Sequence, residues 1–216
     1  MNLLIVGAPG VGKGTMSKFL TQEYGVDHIS TGDMLREHVA NATPLGLKVK
    51  EHMDNGTLVP DEIINEIVSE RLSKDSTSKG FLFDGYPRTL NQAKILTETL
   101  NKLGLKIDAV INLEVNDDVL IKRITGRRTC PNCGDTYNIY YKLPKVEGKC
   151  DSCNSKLIIR KDDNLDSLKK RLSEYHNNTE PIIEYYNKDN LVKRINADQE
   201  REAEFLDIKK SLEGIE

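Results

Sequence analysis

The chain is short of several things, and each shortage narrows what it can be. No apolar run approaches the roughly 20 residues of a membrane-spanning helix, so a helical span is excluded. The first residues enter an apolar strand directly, with no basic segment and no small-residue cleavage site, and no secretion signal is expected. A positive excess is missing too: the formal net charge is −3, which argues against a general nucleic-acid binder. Cysteine is scarce, and its four copies all fall within residues 130–153, in two close pairs. In the absence of a secretion signal, that clustering points to metal rather than disulfides. Low-complexity tracts are lacking, and the only internal repeat is the pair of C-x-x-C knuckles. What remains is an ordinary, slightly polar soluble composition, expected of a cytoplasmic location in the absence of a secretion signal: 216 residues, 38 % hydrophobic and 30 % charged, enough for one α/β domain with insertions around one sizeable core. The charge is uneven. Between Val119 and Arg171 stand 13 Lys/Arg and six Asp/Glu, a positive island that suits a compact polyanion such as a nucleotide, or else a solvated face.

The richest stretch comes first. The apolar run Leu3–Val6 leads into Gly7-Ala8-Pro9-Gly10-Val11-Gly12-Lys13-Gly14-Thr15, and Met16, Phe19, Leu20 and Tyr24 then recur at helical spacing. Strand, glycine-rich loop and helix in that order make a phosphate cradle. Glycines let the backbone approach a ligand, successive N–H groups point into one concavity, and the helix start adds its dipole. In G-x-x-x-x-G-K the lysine, here Lys13, reaches the terminal phosphates of a bound nucleotide. The residue after Lys13 is Gly14, so the hydroxyl expected on Mg²⁺ comes one place late, at Thr15.

Further on, apolar runs predict strands at 28–30, 81–83, 109–113 and 191–195, with helical patterns between them. Thr31 or Asp33 is a natural cap for a helix through Val39, a further helix is expected from Leu47 to Met53, and Pro60 starts the next. A polar loop is expected over 75–80, and Pro181 is expected to break the helical pattern of Leu165, Leu168, Leu172 and Tyr175 and to start a short helix. Strands alternating with helices imply a five-stranded parallel sheet with helices on both faces. Asp84 ends the third apolar run, where an acid beside a phosphate loop would hold Mg²⁺ directly or through water.

Cys130-x-x-Cys133 and Cys150-x-x-Cys153 have the spacing of a closed tetrahedral Zn²⁺ site, with Gly134 and Asn154 suited to the turn after each pair and Thr136–Tyr141 strand-like between them. So few large apolar residues surround them that the segment cannot fold on its own burial, and structural zinc supplies the deficit. A redox dithiol, a disulfide or a catalytic metal are the alternatives. Arg36, Arg88, Arg123, Arg127, Arg160 and Arg171 stand near chain breaks or in the positive island. Phosphoryl transfer needs such charge on the moving group, and guanidinium groups supply it bidentately.

With these residues together, the sequence resembles the adenylate kinases. The resemblance runs the whole chain and rests on GAPGVGKGT at 7–15, STGDMLR at 30–36, DGYPRT at 84–89, GRR at 126–128, RKDD at 160–163 and KKRLSEYH at 169–176; the four-cysteine insertion is similar to that of the long, zinc-bearing bacterial form. Gly14 is itself typical of that family. The resemblance implies a P-loop nucleoside monophosphate kinase fold: a core of 1–29, 60–125 and 164–216, a monophosphate-binding helical insertion at 30–59, and a zinc-ribbon lid at 126–163. It implies the reaction MgATP + AMP ⇌ 2 ADP. Gly10, Val11, Gly12, Lys13, Gly14 and Thr15 would then hold ATP phosphates, with Thr136, Tyr137 and the Gln199 backbone near the nucleoside. Thr31, Arg36, Thr57, Leu58, Val59, Gly85, Tyr86, Pro87, Arg88 and Gln92 would form the AMP site, Thr31 and Gln92 reading the base. Arg123, Arg127, Arg160 and Arg171 would converge on phosphate, and Asp84 would orient Mg²⁺ through water. Cys130, Cys133, Cys150 and Cys153 match the zinc positions. A monomer is expected, with no nucleic-acid or membrane partner. Two other classes are weighed. A regulatory GTPase needs Asn-Lys-x-Asp, which Asn187-Lys188-Asp189-Asn190 misses. A nucleic-acid module would use the zinc ribbon and the positive island.

Overall fold

The computed structural model describes residues 1–74 and 79–215, so the loop expected over 75–80 lies largely outside the described residues. Strand β1, Asn2–Gly7, is buried along its whole length and alternates between two cores. Leu4 and Val6 pack on one side of the sheet and Leu3 and Ile5 on the other, as the two-residue period of a strand requires. Helix α1 (Lys13–Tyr24) follows the glycine loop, then β2 (Asp27–Ser30), α2 (Thr31–Ala40), α3 (Pro44–Asn55), α4 (Asp61–Lys74), β3 (Phe81–Asp84), α5 (Leu90–Lys102), β4 (Ala109–Glu114) and α6 (Asp117–Thr125). A small antiparallel hairpin, β5 (Arg127–Thr129) with β6 (Thr136–Asn138), carries the cysteines. Next come α7 (Leu165–Glu174), a π-helical turn at Tyr175–Thr179, α8 (Glu180–Asn187), β7 (Val192–Asn196) and α9 (Arg201–Leu212). The large sheet has the order β2-β3-β1-β4-β7, all parallel. Both faces are covered, which is why its strands read as near-continuous apolar runs.

Several local expectations shift. The cap of α2 is neither Thr31 nor Asp33 but Ser30, whose Oγ accepts from the Asp33 amide at 3.2 Å. Helix α3 starts at Pro44, not Leu47, because Thr43 caps it and proline fits its first turn. Pro60 stands just outside α4. The strand-like run Thr136–Tyr141 stops at Asn138, where the side chain accepts from the Tyr140 amide at 2.8 Å and the chain turns. Pro181 starts a short helix as expected, sitting in the first turn of α8, but the chain before it is not broken: the π turn carries α7 into α8. In the sheet, Ile5 is in register with Asp84, which puts that acid beside the start of the glycine loop. The loop thus emerges at the carboxyl edge of a parallel sheet, the general ligand position in such folds.

Candidate active site

The loop between β1 and α1 opens on a cleft of about 1190 Å³. Its shape depends on glycine. Gly10 has φ +87°, and a Cβ there would meet Ile124 Cγ1 at 2.7 Å. Lys13 folds back over the loop and donates to the carbonyls of Gly7 at 2.7 Å and Ala8 at 3.1 Å. Burial pushes its ammonium down to about 8; Asp84 opposes that, while Arg88, Arg171 and Arg127 add to it. Asp84 faces the loop: a Cβ at Gly14 would lie 3.6 Å from its Oδ2. One carboxylate beside phosphate ligands and a nearby hydroxyl, Thr15, is a donor set that fits Mg²⁺, which keeps several of its waters.

All six singled-out arginines line the same cleft. Five of them are already held. Arg123 donates to Val11 O at 2.5 Å and Ala197 O at 2.7 Å, and Arg88 Nε donates to Gly85 O at 2.7 Å. Arg36 pairs with Asp33 at 2.5 Å, Arg171 with Asp162 at 2.6 Å, and Arg127 with the fully buried Asp163 side chain. Among the described residues the Arg160 guanidinium alone of the six has no hydrogen-bond partner, although its carbonyl accepts from the Asp163 amide at 3.1 Å. Burial, then the neighbouring Arg127 and Arg36, push its guanidinium down to about 10; Arg171 is likewise pushed to about 10 by burial. Both stay charged at neutral pH. A buried crowd of like charges of this kind favours binding of an anion.

Other expected residues fall into two groups. Gly10 to Thr15, Leu58, Gly85, Pro87, Thr136, Tyr137 and Gln199 line the cleft. Thr31, Thr57, Val59, Tyr86 and Gln92 do not. The Thr31 hydroxyl donates to Gly85 O at 2.8 Å, and Thr57 stands with His52 at the end of α3. Val59 and Tyr86 are core residues, the tyrosine hydroxyl donating to Asn65 at 2.8 Å. Gln92 is 2 % exposed; its Oε1 accepts from the Arg88 amide and its Nε2 donates to Asp61, each at 2.7 Å. Tyr137 turns its hydroxyl toward the cysteines, accepting from the Asp151 amide at 2.7 Å. Sequence reasoning passed over the acids that hold the arginines, Asp33, Asp162 and Asp163, although two of them stand in the RKDD run. It also passed over His28, whose Nε2 lies 3.6 Å from Asp84, and Asp61. No local pattern marks those two.

The four cysteine sulfurs lie within 4.8 Å of one another. Three of their separations are 3.4, 3.4 and 3.6 Å, close to the roughly 3.8 Å edge of a tetrahedron with Zn–S bonds of about 2.3 Å. Each knuckle closes the same way: Gly134 N donates to Cys130 O at 3.1 Å, and Asn154 N to Cys150 O at 2.8 Å. Both turn residues have positive φ, +72° and +58°, as the sequence suggested. Cys130, Cys150, Tyr137 and Leu157 make the whole buried cluster of this hairpin. The sulfurs thus fit a tetrahedral metal ion, and the protein around them offers little other core.

A parallel sheet with a lysine-bearing phosphate loop at its carboxyl edge, in one cleft with six arginines, defines a P-loop phosphotransferase. Comparison with known proteins narrows the class. The family model described as adenylate kinase matches residues 5–191. An adenylate kinase of Desulforamulus reducens is 50 % identical over 96 % of this chain and 98 % of its own. Those of Carboxydothermus hydrogenoformans, 49 % identical over 99 % and 100 %, and Archaeoglobus fulgidus, 48 % over 100 % and 99 %, are similar along the full length. The chain belongs to the adenylate kinase family.

Proposed function

We propose that the chain works as an ATP:AMP phosphotransferase with the residues of this cleft in the following roles. The reaction, MgATP + AMP ⇌ 2 ADP, is that of the family, whose members match this chain from end to end. Gly10 to Thr15 cradle the ATP phosphates, and Lys13 leaves the Gly7 and Ala8 carbonyls for the transferred group. Thr136, Tyr137 and the Gln199 backbone flank the ATP nucleoside, with the hydroxyl of Tyr137 serving the metal cluster instead. Arg36, Leu58, Gly85, Pro87 and Arg88 form the AMP wall, and the buried Tyr86 supports it. Thr31 and Gln92 stand directly beneath that wall, and a base inserted there exchanges the Gln92–Asp61 bond for its own edge. Mg²⁺ arrives with ATP and neutralises phosphate charge; Asp84 holds it through water. Arg88, Arg123, Arg127 and Arg171 turn from carbonyls and acids to phosphate, and Arg160 joins them there. No general base is needed, because the acceptor is already a phosphate oxygen.

Segments 30–59 and 126–163 act as an AMP-side flap and a lid over a core of 1–29, 60–125 and 164–216, and Zn²⁺ held by Cys130, Cys133, Cys150 and Cys153 stiffens the lid. The observation that carries this reading is the convergence of Lys13 and six arginines on one cleft. The enzyme acts as a monomer, and four reduced thiols suit the cytoplasm. Among the described residues no helix is long and apolar enough to cross a membrane. One coupled assay tests the roles: protein with MgATP and AMP yields ADP, and Arg88→Ala or Arg123→Ala lowers the rate by on the order of 10³–10⁵. A loss under about tenfold in either variant removes that arginine from the transfer step.

A further inference from the structure

A second cleft, of about 400 Å³, lies against the far side of the phosphate loop, with Ala8 in its wall. It shares Tyr175 with the nucleotide cleft but none of the transfer machinery. Its rim is acidic. Arg194 lies between Glu114, at 2.6 Å, and Glu184, at 3.5 Å; His176 lies between Glu180, at 2.9 Å, and Asp117, at 3.6 Å. Four carboxylates face one permanent cation. The field is felt by Tyr175: burial first, then Glu180, Glu114 and Asp117, push its phenol up to about 12, against the pull of Arg194.

The floor supplies an independent sign of a ligand. Asn112 is 1 % exposed. Its Nδ2 donates to Glu114 at 2.7 Å, but its Oδ1 is buried and accepts from nothing. A buried acceptor without a donor is rare in a native fold and calls for an occupant. The neighbouring carboxylates are acceptors as well, so the occupant must bring the hydrogens and a positive charge. A compact metal ion does not fit. Among the described residues only the four cysteines bring three or more ligand atoms within 4.8 Å of one another. The two acidic ends, around Arg194 and around His176, suit a longer ion.

We propose that this cleft binds an aliphatic polyammonium ion, one ammonium donating to Asn112 Oδ1 and Glu114 and another lying between Asp117 and Glu180. The nucleotide cleft, crowded with guanidinium groups, repels the same ion, so binding reports the acidic cleft alone. The test is calorimetric titration of spermidine into full-length, metal-loaded enzyme at low salt, with nucleotides absent. Binding at one site per chain is expected. Asn112→Leu should weaken it by about tenfold or more, the equivalent of one charge-assisted hydrogen bond. Should that core change prevent folding, Glu114→Gln with Glu180→Gln, at half-exposed positions, should weaken it similarly while leaving phosphoryl transfer unchanged. No saturable binding, an affinity unchanged by the variant that folds, or full displacement by equimolar MgCl₂ would each overturn the proposal.

Discussion

At Lys13 two demands conflict. The loop must be dry enough to grip phosphate, yet the ammonium must keep its proton to do so. Burial holds its pKa near 8, below the ordinary lysine value, so the charged form dominates below that pH and is lost above it. Phosphate binds the charged form. ATP affinity is therefore expected to be flat below about pH 8 and to fall by up to about tenfold per pH unit above it. Equilibrium titration with a non-hydrolysable ATP analogue across pH 7–10 measures this. Glu204, in the first turn of α9, shows the opposite shift. It is 3 % exposed with Oε1 unpartnered, and burial pushes its carboxyl up to about 7, with Arg123 and Arg201 opposing. Between the unfolded value near 4.5 and this one, the folded state holds the extra proton, so stability falls as pH rises through that window. Glu204→Gln should leave stability unchanged near pH 4.5 and raise it by on the order of 2 kcal/mol at pH 8. Urea unfolding at the two pH values separates these outcomes.

Among the elements, the cysteine hairpin has least to hold it. Its buried cluster is two cysteines, Tyr137 and Leu157, whereas each face of the large sheet has a full core. Structural zinc in peptides contributes roughly 10–16 kcal/mol of apparent binding free energy at neutral pH, far beyond that cluster. Chelation of the metal is expected to unfold the hairpin first, abolish ADP formation and leave the parallel sheet folded. Amide hydrogen exchange would show protection lost over 127–158 and kept in β1, β3 and β4; uniform loss across the chain would assign the metal a global role. The hairpin meets the core where Lys18 of α1 pairs with Asp135 at 2.6 Å, and beyond the hairpin Lys161 reaches Asp54 at the end of α3, in segment 30–59, at 3.6 Å. Both pairs are partly exposed, so each is worth about 0–1 kcal/mol. Contacts that weak would let the proposed lid open and leave its closure to the ligands.

For the molecule as a whole, the proposed roles link closure to chemistry. The arginines come from α2, the turn after β3, α6, β5, the segment before α7, and α7 itself. In the proposed reaction they would tighten on phosphate only when those elements are drawn together, and water would leave only then. ATP without AMP should leave the cluster incomplete. The expected result is ATP hydrolysis in the absence of AMP orders of magnitude slower than ADP formation in its presence, followed by phosphate release; comparable rates would mean that closure does not depend on AMP.

Much of this was legible in the sequence because it is written in local periods. Leu3–Val6, the glycine loop, the helical stripes and the C-x-x-C knuckles are each patterns of a few consecutive residues, set by hydrogen bonds and turns within one element. They determined the parallel α/β class, the phosphate loop and the sulfur tetrahedron. What only the tertiary structure decided lies between elements distant in the chain. Arg123 finds Val11 across 112 positions, Gln92 faces Asp61, Tyr137 turns to the sulfurs, and Asn112, in the wall of an acidic cleft, keeps its Oδ1 without a donor. No spacing encodes these, because strand order and packing choose which side chains meet, and burial then sets their charge.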